Sequence, residues 1–296
     1  MSRLQANALL LLAALIWGSA FVGQVQGMDG LGPLMFTSLR FALGALVVLP
    51  LAWREWRGQG GAFNRHQLGW MAGLGSLLCI GVVMQQIGLM HTSVTHAGFL
   101  TALYVPLVPF LGWLTRGHRP SLAVWLSALG CLVGTWLLSG ASAQPLNVGD
   151  VWVMLSALPW AVHVLWVGHA ANRIRGAYLL ACGQFAVCSA ISGALALAIE
   201  PWQLAGIQRA LGAIVYTGVM SVGLGFTLQV VGQRHAQPAD AAIILSSETV
   251  FSALFGACLL GDRLPPLGLA GCALILASIL AVQIVPLLRS RAAPAS

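Results

Sequence analysis

Apolar residues run along this chain in stretches of about 20, and the polar positions between them are bunched into short turns. Ten such stretches stand out: residues 6–24, 31–52, 67–87, 96–114, 121–139, 150–169, 177–198, 209–230, 239–260 and 266–286. About 20 helical residues cross the roughly 30 Å hydrocarbon core of a bilayer. A segment in hydrocarbon must also satisfy its own backbone, which favours the helix. The pattern therefore predicts an all-α polytopic membrane protein with ten transmembrane helices. The connections hold turn formers, as in "GMDGLGP" (27–33), "GASAQPLN" (140–147) and "GDRLPP" (261–266). The longest polar segment, "REWRGQGGAFNRH" (54–66), is too short for a soluble domain, so function is expected in the bundle and its loops.

Composition agrees. Of 296 residues, 58% are hydrophobic and 7% charged, against about 25% charged in soluble domains. A net charge of +7 would suit nucleic acid if the charges were clustered. They are not: there is no lysine, and 14 arginines punctuate the apolar runs. With ten spans, eleven arginines (Arg3, Arg54, Arg57, Arg65, Arg116, Arg119, Arg173, Arg175, Arg234, Arg289, Arg291) fall on the side of both termini. Two, Arg209 and Arg263, fall on the other, and Arg40 lies inside a span. The positive-inside rule then puts both termini in the cytoplasm, in a bacterial-type cytoplasmic (inner) membrane, with lipid rather than nucleic acid as the surrounding partner. The N-terminal run reads as an uncleaved first span. The six cysteines lie inside apolar runs with no CxxC pairing, so neither a zinc site nor a disulfide framework is expected.

The two halves repeat. "LAALIWGSAF" (12–21) aligns with "LSALPWAVHV" (155–164) at an offset of 143, "GLMHTSVTHA" (88–97) with "GQRHAQPADA" (232–241) at 144, and "LGCLVG" (129–134) with "AGCALI" (270–275) at 141. The order and the near-constant offset carry the inference. Five spans is an odd number, so the second copy enters the membrane from the opposite side. That predicts two five-helix inverted repeats, residues 1–139 and 150–296 with a short basic tail, joined by a loop at 140–149. Inverted repeats are common in secondary transporters, whose sites lie near the midplane between the halves.

Two five-span halves, the openings "LAALIWGSAFV" and "GDVWVMLSALPWA", "SLRFALGALVVLP" in the second span, "AGFLTALYVPLVPFLGW" in the fourth and "LSSETVFSALFGACLLGDRL" in the ninth resemble the EamA-type branch of the drug/metabolite transporter superfamily. The resemblance covers essentially the whole chain. It implies a ten-helix exporter of amino acids or related metabolites, with its cavity between the halves. The family commonly carries Glu-Pro in the ninth span, where this chain has Glu248-Thr249. A proline there would kink the helix and free a carbonyl; Thr249 keeps its backbone donor, so a break at this point needs another cause.

Glu248 is the leading candidate site residue. It lies mid-span, where an ionisable group is costly and is a functional hypothesis by default. It is expected either to pair with Arg40 or hydrogen-bond to Ser246, Ser247 or Ser252, or to face the cavity and bind an ammonium or cycle a proton. Arg40, at matching depth, reads as structural or as a grip for a substrate carboxylate. Trp17 and Trp160 are repeat-related, and mid-depth positions suit a pocket better than the interface. His163 follows Trp160 by three residues on the same helical face. Tyr104 precedes Pro106 and Pro109, so the fourth span is expected to bend. Gln85 and Gln86 end an apolar run in the third span and Gln229 occupies the comparable place in the eighth, with bridging between helices as the plain alternative. His91 and His96 read as solvated loop residues. Gly130 and Gly134 form a GxxxG suited to close helix packing.

These features point to a secondary transporter exporting small amphipathic metabolites, amino acids foremost, by alternating access, with protons as the candidate coupling ion. A drug or nucleotide-sugar permease of the same fold is the alternative. Nucleotide cargo would call for several cavity cations, and only Arg40 is available. No Walker motif, HExxH, aspartate pair or Gly-x-Ser-x-Gly elbow is present, so neither ATP coupling nor an intramembrane enzyme is expected, and no cofactor or metal.

Overall fold

A computed structural model describes residues 1–28, 30–117, 119–139, 146–201, 203–255, 257–258 and 266–292. The helices are α1 (Arg3–Gly27), α2 (Pro33–Gly58), α3 (Arg65–Leu89), α4 (Val94–Thr101), α5 (Tyr104–Arg116), α6 (Leu122–Leu138) and α7 (Val148–Arg173). They continue as α8 (Ala177–Ile199), α9 (Leu204–Tyr216), a π-helical segment (Thr217–Phe226), α10 (Thr227–Gln233), α11 (Pro238–Leu245), α12 (Glu248–Phe255) and α13 (Pro266–Ala292). Among the described residues there is no strand. Eight stretches are long and apolar enough to cross a membrane, counting α4 with α5, α9 with the π segment and α10, and α11 with α12 as single stretches. Leu122–Leu138 and Pro266–Val282 are apolar but shorter; 17 residues reach about 25 Å at 1.5 Å per residue.

The caps follow the sequence. Ser2 with Gln5, Asn64 with Gln67 and Asn147 with Asp150 form capping boxes at α1, α3 and α7. Prolines at the first helical position start α2 and α11. Polarity is inverted relative to a water-soluble bundle. Leu114 (72% exposed) and Leu197 (65%) face outward, whereas Gln86, His163 and Gln184 are fully buried. That distribution suits hydrocarbon outside and a polar interior.

Helix contacts follow the repeat. Helix α2 packs on α8 and α6 on α13, each the counterpart of the other. The remaining contacts come in exchanged pairs: α3 on α7 answers α1 on α9–α10, and α4–α5 on α7 answers α11–α12 on α1. Two of these interfaces are antiparallel. The Glu200 carboxylate accepts from the Leu34 and Met35 N–H groups (both 2.8 Å) at the start of α2, and Glu55, near the end of α2, accepts from Leu179 N–H (2.8 Å) at the start of α8. A carboxylate at a helix N-terminus meets free N–H groups and the positive end of the helix dipole. At the other interface Gly134 lies against Gly271 and Gly130 against Ser278, so the GxxxG edge of α6 faces α13.

Three spans expected as single helices are interrupted. The fourth breaks at Ala102–Leu103. Pro106 offers no N–H to the Ala102 carbonyl and its ring crowds it; Val105 N–H bonds that carbonyl instead (3.0 Å), tightening the turn. The ninth breaks at Ser246–Ser247 without a proline. Ser246 donates to Ile243 O (2.7 Å), Ser247 to Ile244 O (2.7 Å) and Thr249 to Ser246 O (2.8 Å). These hydroxyls join the tightened backbone bonds Ser247 N–H to Ile244 O (3.1 Å) and Thr249 N–H to Ser246 O (3.2 Å) in satisfying the carbonyls at the break. The eighth widens into the π segment across the glycine-rich "TGVMSVGLGF". The widened turn leaves the Ser221 carbonyl within reach of the Trp17 indole N–H, 3.1 Å away.

Candidate functional site

The two breaks and the π segment border one partly enclosed cavity. It is lined by Trp17, Phe21, Gln24, Arg40, Val82, Gln85, Thr101, Tyr104, Trp160, Val164, Ser221, Phe226, Gln229, Leu245 and Glu248. Twelve of these fall into six pairs at offsets of 143 or 144: Trp17 and Trp160, Phe21 and Val164, Val82 and Phe226, Gln85 and Gln229, Thr101 and Leu245, Tyr104 and Glu248. The walls thus come from both halves, position for position. About 50 Å³ is open to the centres of water molecules, room for a few waters at roughly 10–15 Å³ each.

The lining is rich in aromatic rings. Trp160 stacks on Phe226, centroids 6.0 Å apart and 8° from parallel, while Trp17 leans on the same ring at 4.6 Å. Helix α12 reaches the cavity because Gly18 on α1 lets it approach. A methyl group there would lie 2.6 Å from Phe251 Cβ and 2.8 Å from the Glu248 carbonyl oxygen.

Arg40 and Glu248 both line this space and are almost wholly buried, yet no ion pair joins them. Arg40 lies between the Phe36 and Phe41 rings, 5.3 Å from each centroid, and reaches Gln86 Oε1 at a long 3.4 Å. Its Nε has no partner. Glu248 has no hydrogen-bond partner among the described residues. The expected bonds from Ser246 and Ser247 are absent because those hydroxyls are spent on the carbonyls of the break. Tyr104 donates to Ala242 O at 3.4 Å, and Gln85 to Thr101 Oγ1 at 2.8 Å. The Trp160 indole N–H and Gln229 Oε1 are buried without partners. An unpaired cation, an unpaired carboxylate and unused donors and acceptors around one cavity are the chemistry of a binding site for a small polar molecule.

Six of the seven candidates from the sequence, Trp17, Arg40, Gln85, Tyr104, Trp160 and Glu248, come together here. His163 does not. It lies fully buried behind Trp160, with Nε2 2.9 Å from Gln184 Oε1 and its ring edge-on to Trp160 and Phe226. Sequence reading missed Gln24, Thr101 and Ser221. Gln24 was legible as an amide at the end of the first apolar run; Ser221 was not, because its exposure to the cavity depends on the π segment. His96, read as a solvated loop residue, instead reaches Asp150 on α7, Nδ1 to Oδ1 2.9 Å, since α4 begins at Val94, two residues before the apolar run, and takes His96 into its first turn.

Comparison with known proteins agrees with this architecture. The EamA-like transporter family matches twice, at residues 4–140 and 147–283. An uncharacterized transporter of Archaeoglobus fulgidus is 30% identical over 282 residues, 95% of this chain and 87% of its own. The uncharacterized transporter YwfM of Bacillus subtilis is 24% identical over 94% of this chain and 93% of its own. A solved crystal structure superposes with a TM-score of 0.77 over 99% of this chain and all of its own, at 21% identity, a likeness of fold alone. With two family matches spanning nearly the whole chain around a two-fold cavity, the protein belongs to the EamA-like transporter family.

Proposed function

We propose that the protein is a secondary transporter that exports small amphipathic metabolites, amino acids foremost, across the cytoplasmic membrane. In this reading the chain crosses ten times as two inverted five-helix halves, residues 1–139 and 150–296, with both termini cytoplasmic. The antiparallel packing of α2 on α8 and the eleven-to-two arginine bias support that arrangement. The observation that carries the cargo reading is the separated pair Arg40 and Glu248, buried in one cavity and unpaired. A zwitterion answers both: its carboxylate meets the guanidinium, its ammonium the carboxylate, and its side chain rests on the aromatic wall. Gln85, Tyr104, Trp17 and Trp160 orient it, while His163 holds Trp160 from behind. Glu248 also offers a place for a coupling proton.

A flat apolar cation is the second reading, favoured by five rings (Trp17, Phe21, Tyr104, Trp160, Phe226) around one carboxylate. The test is counterflow in protein-only liposomes with labelled amino acids and, separately, aromatic cations, each with and without a pH gradient. Exchange of amino acids supports the first reading and exchange of cations alone supports the second. Exchange of neither counts against both.

A further inference from the structure

Outside the cavity and apart from the carboxylate caps of α2 and α8, two side-chain pairs with a carboxylate join the halves at opposite ends of the bundle. Arg3 on α1 pairs with Asp240 on α11. His96 on α4 meets Asp150 on α7 at 2.9 Å. The second joins the repeat-related helices: His96 and Asp240 are 144 residues apart and α4 and α7 answer α11 and α1, while the partners differ, Arg3 corresponding to Leu146 rather than to Asp150. The opposite placement is visible along the α4–α5 rod. His96 stands at its start, whereas an open recess at its far end is lined by Trp113 and Arg119 together with Arg3 and Asp240. Tyr104 lies between them.

Both contacts bind helices that also carry cavity residues. Asp240 lies eight residues before Glu248, and His96 eight before Tyr104, about 12 Å along each helix. Just beyond each lies a helix break, a place where the outer half of the helix can swing without moving the inner half. The two contacts are unequal. Asp150 is held by Thr92 Oγ1 (2.6 Å), His96 Nδ1 and the Asn147 N–H (2.9 Å), and its side chain is 1% exposed. Asp240 has only Arg3, whose side chain is 42% exposed. The recess beside Arg3 and Asp240 offers about 520 Å³ to water centres, against about 50 Å³ in the cavity, and its wall residue Val108 is one turn from Tyr104.

We infer that Arg3–Asp240 and His96–Asp150 are the two end clamps of the cavity, closed together in this conformation, and that the Arg3–Asp240 end releases first. Releasing one pair frees α11 from α1 and opens the cavity towards the recess; releasing the other frees α4 from α7 and opens the opposite face. These four are positioning residues. They act on access, whatever the cargo, so the inference stands apart from the amino-acid reading and its test needs no substrate.

The test uses the full chain in right-side-out and inverted membrane vesicles, with Ser221→Cys as a cavity reporter. Labelling by a membrane-impermeant thiosulfonate is read in excess of that of the chain without the reporter. Arg3→Gln and Asp240→Asn should each speed labelling about two- to fivefold from the face that bears residue 3, the scale set by losing one solvent-accessible ion pair. His96→Ala, which leaves the Asn147–Asp150 cap intact, should speed it from the opposite face only. Exchanging the charges, Arg3→Asp with Asp240→Arg, should restore the parent rate. Unchanged rates, equal acceleration from both faces, or disagreement between Arg3→Gln and Asp240→Asn in protein that elutes as folded overturns the inference.

Discussion

At the break between α4 and α5 a proline sets the geometry and a phenol is presented to the cavity. At the matching break between α11 and α12, hydroxyls set the geometry and a carboxylate is presented. Tyr104 and Glu248 occupy the same place in the two halves, 144 residues apart. The backbone device is therefore interchangeable while the side chain it delivers is not. A two-fold scaffold consequently encloses a cavity that is chemically one-sided, its cation, Arg40, coming from the first half and its acid from the second.

The largest test of that contrast is Glu248→Gln. An amide keeps the shape and removes the charge, so in the proposed function counterflow should fall roughly 10- to 100-fold, the scale of one charged hydrogen bond. Thermal stability in detergent should hold or rise, because an unpaired buried carboxylate costs more to desolvate than an amide. A variant that fails to fold would make Glu248 structural and remove the asymmetry from the mechanism.

Next comes Gly18. Its repeat counterpart is Ala161, fully buried in the same cluster as Tyr104 and Val105 where α7 packs on α5, so that interface accommodates a methyl where α1 leaves none for α12. Gly18→Ala should destabilise by about 1–3 kcal/mol through overpacking and lower transport with it. Ala161→Gly should cost about 1 kcal/mol or less. Equal effects in thermal unfolding would mean that the Glu248 helix sits no closer to its neighbour than the Tyr104 helix does.

The breaks themselves separate by cause. Ser246→Ala with Ser247→Ala removes two donors from released carbonyls and should cost about 1–2 kcal/mol. Pro106→Ala restores an N–H that the Ala102 carbonyl can accept, so the first break should tighten toward continuous helix and stabilise slightly. Opposite signs in the two unfolding shifts are the expected result.

Much of this was legible from the chain. Apolar runs of about 20 residues gave the helices, and the constant offset between "LAALIWGSAF" and "LSALPWAVHV" gave the pairing that later matched six cavity positions. The break before Tyr104 could be read from Pro106. The one before Glu248 could not, because serine and threonine break a helix only when their hydroxyls turn back on it, a choice made by rotamers rather than composition. The same holds for the π segment. Glycines permit it, but the Trp17 contact with the Ser221 carbonyl is a tertiary event. His96 reads from the chain as a solvated loop residue for a related reason: its partner lies 54 residues away on another helix.

The smallest expected effect falls on the other member of the pair. Tyr104→Phe removes a hydroxyl whose only bond, to Ala242 O, is a long 3.4 Å. Stability should change by about 0.5 kcal/mol or less, at the low end for a neutral hydrogen bond, and the ring should keep its place against Val105 and Val108. If the phenol only shapes the wall, counterflow should fall no more than about threefold, less than 1 kcal/mol of binding. A loss as large as that of Glu248→Gln would mean that both halves deliver an essential proton donor at the matching point. The cavity would then be two-fold in its chemistry as well as its backbone, with Arg40 alone breaking the symmetry.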